Sequence, residues 1–265
     1  PPFVADPTTE AINAIETRVG GRVGVAALNV NTGQISAHRA DERFAMCSSF
    51  KWLLAAAALE LFPHDRLLRY GEADLIFHSP VTRAHVSEGA MSVEALCEAT
   101  VVTSDNAAAN VLLREMGGPE AFTRYLRTQG DAVTQLDRTE LALNENAPGD
   151  PRDTTTPEQA VASLRHFLVD GAYNPANRAK LIFWMVACQT GLSRLRAGLP
   201  LDWRAGDKTG TSDDVHNATI DVAIAWPPGR APILIACFFS DSVVDLPARN
   251  AAHAEIARIV VETWG

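Results

Sequence analysis

The sequence predicts an α+β fold, an α/β sandwich in which terminal helices flank an antiparallel sheet of about five strands and an all-helical domain is inserted. Three observations lead to this prediction: strand-like stretches near both ends of the 265-residue chain, helical periodicity through the middle, and amphipathic helices at both termini. Because strands from both ends can share one sheet, we expect a discontinuous α/β domain over 1–40 and 190–265 and a helical domain over 41–189.

The first elements are a surface helix and a hairpin. Residues 7–19 place Ile12, Ile15 and Val19 on one helix face, with a threonine cap expected before Glu10. The stretch RVGVAALNVNTGQISAHR then reads as two strands joined at Asn-Thr-Gly.

Helices and then strands follow along the chain. The helical pattern occurs at 50–62, 92–101, 105–116, 119–128, 157–169 and 176–189. After Gly206 the stretches GDKTGT, TIDVAIAWPP and APILIACFFS are strand-like, and ARNAAHAEIARIVVETW forms a last amphipathic helix. The interval 136–156 has no clear period, and a loop of that length in a compact domain is typically functional.

Composition argues against several classes of function. The net charge is −9 without a basic cluster, so nucleic acid is not an expected partner. No apolar stretch reaches about 18 residues, so no membrane span is expected. Cys47, Cys97, Cys188 and Cys237 show no metal-ligand spacing, and neither do the seven histidines, so we expect no metal site. The chain begins at Pro1 without a leader pattern, and any targeting segment is expected to have been removed.

A first candidate motif is Ser48-Ser49-Phe50-Lys51. In a helix beginning near Ser48, Lys51 would share its face and could reach the hydroxyl. Burial among apolar neighbours would lower the lysine pKa and make it a base, and the helix N-terminus could hold an oxyanion. The alternative is a capping serine beside a lysine whose amine reaches water, since about one S-x-x-K is expected by chance in such a chain.

A second candidate motif is Ser104-Asp105-Asn106. Its hydroxyl could relay a proton and its amide could bind a substrate carbonyl. All three residues are also good helix caps, and a simple cap is the alternative.

A third candidate motif is Lys208-Thr209-Gly210-Thr211. Glycine permits close approach of the backbone to a ligand, and the lysine and hydroxyls beside it would make an anion pocket. The alternative is an edge strand interrupted by glycine. The chain has only three lysines against twenty arginines, and two of the three fall in these motifs.

The three motifs in this order resemble those of the class A serine β-lactamases and, more broadly, the penicillin-binding proteins. The resemblance covers nearly the whole chain and includes SPVT at 79–82, TSDNAAANVLL at 103–113, LDRTELALNE at 136–145, RDTTTP at 152–157 and DKTGT at 207–211. It implies the fold already predicted, hydrolysis of small-molecule β-lactams that confers antibiotic resistance, no cofactor, and a monomer that is secreted or periplasmic.

The resemblance also implies a role for the 136–156 loop, which corresponds to an omega loop. Glu140 and Asn144 would hold and activate the water that hydrolyses an acyl-enzyme. Arg138 and Asp153 would pair across the neck of this loop.

For acyl transfer, the resemblance implies that Ser48 attacks the lactam carbonyl. The base is either Lys51 or Glu140 acting through a water, and the sequence leaves both open. Ser104, helped by Lys208, would return the proton to the leaving nitrogen.

Substrate contacts follow from the same resemblance. Backbone N–H groups of Ser48 and Thr211 would form the oxyanion hole. Many members carry an arginine on the strand after K-T-G for the substrate carboxylate, but SDDVHNAT contains none. Arg194 stands where other members supply a replacing guanidinium, and His216 is a lesser candidate. The expected substrate-binding set is Asn106, Lys208, Thr209, Gly210, Thr211, Arg194 and His78, the last standing where an aromatic gate residue is usual.

Cys47 departs from the commoner pattern. In family members that hydrolyse carbapenems, such a cysteine is bonded to one lying two residues past K-T-G, but that position here is Ser212. Cys237 is the substitute partner that we consider, and an extended or carbapenem spectrum is the expectation tied to Cys47.

Two other functions share the three motifs. A D-Ala-D-Ala peptidase would lack the Glu140-x-x-x-Asn144 device for deacylation. A penicillin sensor that stays acylated would need a transmembrane or signalling partner, which is not visible in this chain.

Overall fold

The computed structural model describes residues 7–145, 147–212 and 216–264. The helices are α1 Pro7–Val19, α2 Lys51–Leu61, α3 Pro80–Ala84, α4 Val93–Val102, α5 Asn106–Met116, α6 Pro119–Thr128, α7 Pro157–Leu168, α8 Pro175–Ala187 and α9 Leu246–Trp264. The strands are β1 Arg22–Asn29, β2 Ile35–His38, β3 Phe44–Ala45, β4 Leu67–Arg69, β5 Ala90–Ser92, β6 Thr154–Thr155, β7 Arg204–Thr211, β8 Thr219–Trp226 and β9 Ile233–Ser240.

A five-stranded antiparallel sheet with the order β2-β1-β9-β8-β7 lies at the centre of the fold. Its strands come from both ends of the chain, because β1 pairs along its full length with β9 from Arg22 opposite Ser240 to Asn29 opposite Ile233. The predicted fold class is confirmed, because the structure contains a five-stranded antiparallel sheet built from both ends of the chain and helices from the middle and the ends.

Each face of the sheet is covered by helices, so the central strands are apolar on both faces. Val23, Val25 and Ala27 join α1 and α9 in an outer core. Ala26 and Leu28 face the opposite way, into an inner core that continues through the helices of the middle of the chain. This alternation is the period of two expected of a strand.

The inner core surrounds α2, which is buried from Lys51 to Leu59 and packs against α4, α5 and α8. A helix that is apolar all round needs such burial on every side. The aromatic pair Phe44 and Phe238, with centroids 5.8 Å apart, joins this core to the sheet. The division into two domains stays a prediction.

The predicted helices and main strands agree with the structure to within a few residues. The cap before Glu10 is wrong, because α1 already begins at Pro7 and Thr8 lies inside it. The pairs β3–β6 and β4–β5 were not predicted, since two or three residues leave no readable period. No helix within the described ranges is long and apolar enough to cross a membrane.

Candidate active site

A cavity of about 340 Å³ lies where the end of β7 meets the start of α5, the 136–156 loop and a single 3-10 turn, Cys47–Phe50. We call it the Ser48 cavity, and the 3-10 turn the Ser48 turn. The three sequence motifs meet here, because Ser48, Ser104 and Thr209 all line the cavity.

Ser48 lies within its turn and does not cap a helix. The backbone enters the turn through Cys47 at φ +44°, in the left-handed region, and neither Met46 before the turn nor Phe50 before α2 makes a side-chain cap. The Ser48 hydroxyl instead donates to Oε1 of Glu140 at 3.0 Å. The capping interpretation of Ser48 is therefore wrong, and its hydroxyl faces a carboxylate.

Lys51 is fully buried in the first turn of α2. Its Nζ lies 2.9 Å from Oε1 of Glu140 and donates to the Ser104 carbonyl at 2.9 Å and to the Ser104 hydroxyl at 3.4 Å. It also donates to Oδ1 of Asn106. The amine therefore joins the Glu140 carboxylate to the Ser104 hydroxyl.

Burial acts in opposite directions on the two charges of this pair. It lowers the pKa of Lys51 below its ordinary value, and the Glu140 charge opposes that shift. Burial raises the pKa of Glu140, but the Lys51 charge and hydrogen bonds from Lys51, Asn144 and Ser48 outweigh it, so the net shift is downward. Glu140 is thus held as a carboxylate that can accept a proton.

An amide on α5 fixes the backbone of Glu140. Asn110 Oδ1 accepts the Glu140 N–H at 3.0 Å, and Asn110 Nδ2 donates to the Glu140 carbonyl at 2.9 Å. Asn110 lies in the stretch TSDNAAANVLL, but the sequence analysis assigns it no role, because its contact with Glu140 depends on the fold.

Asn144 completes the carboxylate environment. Its Nδ2 donates to Oε2 of Glu140 at 2.9 Å. Its Oδ1 is buried and has no hydrogen-bond partner among the described residues. Ser212 donates its hydroxyl to the Asn144 carbonyl at 3.0 Å and so ties the end of β7 to the loop.

The expected ion pair at the neck of the 136–156 loop is present. Arg138 Nε lies 2.6 Å from Oδ2 of Asp153, whose Oδ1 accepts the N–H groups of Asp137 and Arg138. Asp153 is 1 % exposed. The loop is thus closed by a buried carboxylate with several donors.

Ser104 and Lys208 meet across the cavity. Ser104 has φ +60°, and its hydroxyl accepts from Lys208 Nζ at 3.0 Å. Lys208 also donates to the Thr209 carbonyl at 2.8 Å, and burial lowers its pKa to about 8. The capping interpretation is correct for Asp105, which accepts the Ala108 N–H at 2.9 Å and begins α5.

Gly210 lets β7 approach the Ser48 turn. A Cβ at this position would lie 2.4 Å from the Met46 carbonyl oxygen and 3.1 Å from the Ser49 nitrogen. Next to it, Thr209 Oγ1 lies 2.6 Å from Oγ1 of Thr190, which also lines the cavity. Thr190 was not predicted, because nothing near it in the sequence forms a motif.

Arg194 lies behind β7 with its guanidinium buried. It donates to the carbonyls of Gly210 and Ile220 at 2.8 and 2.7 Å, to Thr211 Oγ1 at 2.6 Å and to Asn250 Oδ1 at 2.9 Å. These four acceptors are neutral, and burial lowers the pKa of Arg194, while the nearby carboxyl groups of Asp221 and Asp207 oppose that shift. Arg194 also lines the cavity.

The two histidine candidates lie in different surroundings. His78 lines the cavity, with φ +55° and Nε2 2.8 Å from the Thr103 carbonyl oxygen. His216 has its Nδ1 2.8 Å from Oδ1 of Asp241 and is not among the described residues that line the cavity. Residues 213–215 of SDDVHNAT lie outside the described residues.

Asn106 projects its amide into the same cavity. Its Nδ2 donates to the Phe77 carbonyl at 2.9 Å, while its Oδ1 accepts from Lys51. The amide thus links Lys51 to the loop before α3.

The expected link between Cys47 and Cys237 is wrong. All four cysteines are buried thiols. Cys237 belongs to the outer core with Val25, whereas Cys47 lies in the inner core on the opposite face of the sheet. Within the described ranges, no group of three or more histidine, cysteine or acidic residues could hold a metal ion.

Comparison with known proteins identifies the family. A model of the β-lactamase enzyme family matches residues 7–264, and the chain belongs to that family. The AST-1 β-lactamase of Nocardia asteroides is 46% identical over 99% of this chain and 84% of its own length. The carbapenem-hydrolyzing β-lactamase KPC of Klebsiella oxytoca is 40% identical over 99% of this chain and 89% of its own length.

Comparison with solved structures identifies the class of β-lactamase. An ancestral (GNCA) class A β-lactamase is 53% identical, with a TM-score of 0.94 over 97% of this chain and 100% of that chain. A β-lactamase from Burkholderia vietnamiensis is 43% identical, with a TM-score of 0.93 over 99% and 98% of the two chains. This protein is a class A β-lactamase, a hydrolase of the kind that confers antibiotic resistance.

Proposed function

We propose that this β-lactamase works in two steps through an acyl-enzyme on Ser48, with Glu140 as the base in both. One observation carries the proposal: Oε1 of Glu140 lies 3.0 Å from Ser48 Oγ and 2.9 Å from Lys51 Nζ. A nucleophile in direct hydrogen-bond contact with a buried carboxylate is ready to lose its proton.

In acylation, Ser48 Oγ forms a bond to the lactam carbonyl carbon while its proton passes to Glu140. Glu140 is favoured over Lys51 as the acceptor, because the serine hydroxyl already donates to its carboxylate at 3.0 Å. The N–H groups of Ser48 and Thr211 would hold the oxyanion, and one such donor typically contributes about 2.7–4 kcal/mol to transition-state stabilisation.

The lactam C–N bond then breaks as Ser104 gives its proton to the departing nitrogen. Ser104 accepts hydrogen bonds from Lys208 at 3.0 Å and Lys51 at 3.4 Å, so either ammonium can replace that proton. Lys51 also contacts Glu140, and the proton collected from Ser48 can return by this route to Ser104.

In deacylation, Glu140 takes a proton from a water whose oxygen bonds to the ester carbonyl carbon. The bond from that carbon to Ser48 Oγ then breaks, and Glu140 gives the proton to Oγ, which lies 3.0 Å from Oε1. The Glu140 carboxylate and the unpartnered Oδ1 of Asn144 are polar groups that such a water needs. The pairing of Glu140 with Asn144 favours a rapidly deacylating β-lactamase over a D-Ala-D-Ala peptidase or a sensor that stays acylated.

The remaining groups at the cavity would bind the substrate. Thr209, Thr211 and Arg194 line it and supply hydroxyls and positive charge for the ring carboxylate. Lys208 is fully buried and would add its charge from beside Ser104. Asn106 would bind the amide of the acyl side chain. The position of Arg194 supports this assignment, because it lines the cavity and donates to Thr211 Oγ1 at 2.6 Å.

Nitrocefin turnover tests the proposed function. Sustained hydrolysis over many turnovers is expected, and loss of activity in Ser48→Ala would tie it to the proposed nucleophile. A stoichiometric burst with no further turnover would favour a sensor or a peptidase instead.

We include carbapenems in the proposed substrate range, on the evidence of the 40% identical relative that carries this activity in its name. Cys47 is a free thiol, so a disulfide at this cysteine does not support carbapenem hydrolysis. Turnover of imipenem tests this extension, and a stable adduct without turnover would remove it. Export from the cytoplasm and a monomeric state stay predictions, which cell fractionation and light scattering can test.

A further inference from the structure

Phe77 is an exposed aromatic side chain beside the Ser48 cavity. It is 79% exposed and lines the cavity together with Leu141, which is 42% exposed. Apolar side chains that stay exposed around a concave site are typical of ligand contacts.

His78, the expected gate, is also exposed, but a hydrogen bond holds its ring at one nitrogen. Its Nε2 lies 2.8 Å from the Thr103 carbonyl oxygen, which ties the imidazole to the protein. The rings of Phe77 and His78 have centroids 6.3 Å apart and planes tilted by 46°, within the range of an aromatic pair. His78 therefore supports the Phe77 ring, and Phe77 offers the exposed apolar face.

Phe77 also has a fixed relation to the proposed amide site. Its carbonyl accepts from Asn106 Nδ2 at 2.9 Å. An acylamino group held at Asn106 would direct its substituent toward this part of the cavity. Leu141 comes directly after Glu140 and adds a second apolar contact there.

We propose that Phe77, with Leu141 as a second apolar wall, is a specificity-determining residue that favours β-lactams with an aromatic acylamino substituent. This rests on the proposed function, since the preference is expressed only if Ser48 is acylated. The substituent ring would pack on Phe77 in an offset or edge-to-face arrangement.

The test compares benzylpenicillin with 6-acetamidopenicillanic acid. These substrates share the ring system, the carboxylate and the side-chain amide, and differ by one phenyl group. We expect Phe77→Ser to lower the benzylpenicillin-to-acetamido ratio of kcat/KM about tenfold, or about 1.4 kcal/mol. Phe77→Leu should lower it less, because an apolar surface remains.

Phe183→Ser is the matched control. Phe183 is 63% exposed on α8, and none of the described residues that line the cavity comes from that helix. Its substitution should leave the ratio unchanged, and thermal unfolding should show that all variants fold. If Phe77→Ser does not fold, Phe77→Leu and Leu141→Ser decide by the same ratio.

Two outcomes overturn the proposal. Equal losses for both penicillins in the Phe77 variants would assign Phe77 a structural role, and an unchanged ratio would show that it does not discriminate. If the wild-type protein turns over neither penicillin, the proposed function itself fails, and that result is distinguishable from an insensitive ratio.

Discussion

Asn250→Asp perturbs the charge of Arg194 without changing the shape of its surroundings. In the wild-type protein Arg194 is 4% exposed, and its guanidinium donates to four neutral acceptors, among them Asn250 Oδ1 at 2.9 Å. A carboxylate at residue 250 would pair directly with the guanidinium. The charge available to the substrate carboxylate would therefore fall.

The magnitude follows from the separation of the charges. The new carboxylate and the substrate carboxylate would lie on opposite sides of the guanidinium, about 8 Å apart, and repel by about 2 kcal/mol at an effective dielectric constant near 20. Solvent in the open cavity screens part of this, so we expect a loss of about 1–2 kcal/mol, or an increase in KM of about 5- to 30-fold. The kcat should change little, because no reacting atom is touched.

The assay pairs a penicillin with its methyl ester, which lacks the carboxylate charge. Asn250→Asp should raise KM for the acid and not for the ester, while Asn250→Leu, which removes the hydrogen bond without adding charge, controls for lost positioning. Equal effects of Asn250→Asp on acid and ester would refute the reasoning that Arg194 binds the carboxylate.

Three further changes test other parts of the structure. Gly210→Ala should lower kcat/KM about 100-fold with the fold retained, because its Cβ would meet the Met46 carbonyl at 2.4 Å and move β7; unchanged kinetics would contradict this. Asp153→Ala should lower the free energy of unfolding in urea by about 3–5 kcal/mol, because the N–H groups of Asp137 and Arg138 and the Arg138 guanidinium lose a buried acceptor; a loss below 1 kcal/mol would show that the carboxylate is dispensable. Since burial lowers the pKa of Lys208 to about 8, kcat/KM should fall as pH rises through 8, and Lys208→Arg should remove that limb because arginine stays charged; an identical limb in the variant would assign it to another group.

The Lys208 shift also has a consequence for stability. Its pKa in the folded state lies below the ordinary value of about 10.4, so between pH 8 and about 10 the unfolded chain binds more protons. The contribution of Lys208 to the free energy of unfolding therefore rises with pH in that window, while activity falls. If the free energy of unfolding rises with pH while kcat/KM falls, the loss of activity comes from deprotonation of Lys208 and not from unfolding of the protein.

The fold class could be predicted from the sequence because helical stretches occupy the middle of the chain and strand-like stretches lie near both ends. The apolar run ILIACFFS is strand-like, and the structure places Cys237 and Phe239 in one core and Phe238 in the other. The alternation of side chains along a strand does not by itself show which of the two cores each face contacts. That is why Cys237 could be considered as a partner for Cys47 until the sheet assigned them to opposite faces.

The candidate site was predictable where residues fall in motifs and unpredictable where long-range contacts position them. Ser48, Ser104 and Lys208 belong to short motifs. Asn110 lies in the stretch TSDNAAANVLL without an assigned role, and Thr190 lies in no quoted stretch. Their roles depend on hydrogen bonds to residues 30 and 19 positions away. The hydrogen bond between His78 and the Thr103 carbonyl likewise depends on the folded loop.

Mass spectrometry of Glu140→Ala after addition of benzylpenicillin tests most directly whether Glu140 drives release of an acyl-enzyme formed on Ser48. The residual acylation that does not need Glu140 should form an adduct with the mass of intact penicillin, mapping to the peptide that contains Ser48. This adduct should persist for minutes to hours in the variant and turn over in the wild-type protein. Undiminished turnover in the variant, or an adduct that maps to another residue, would contradict the mechanism.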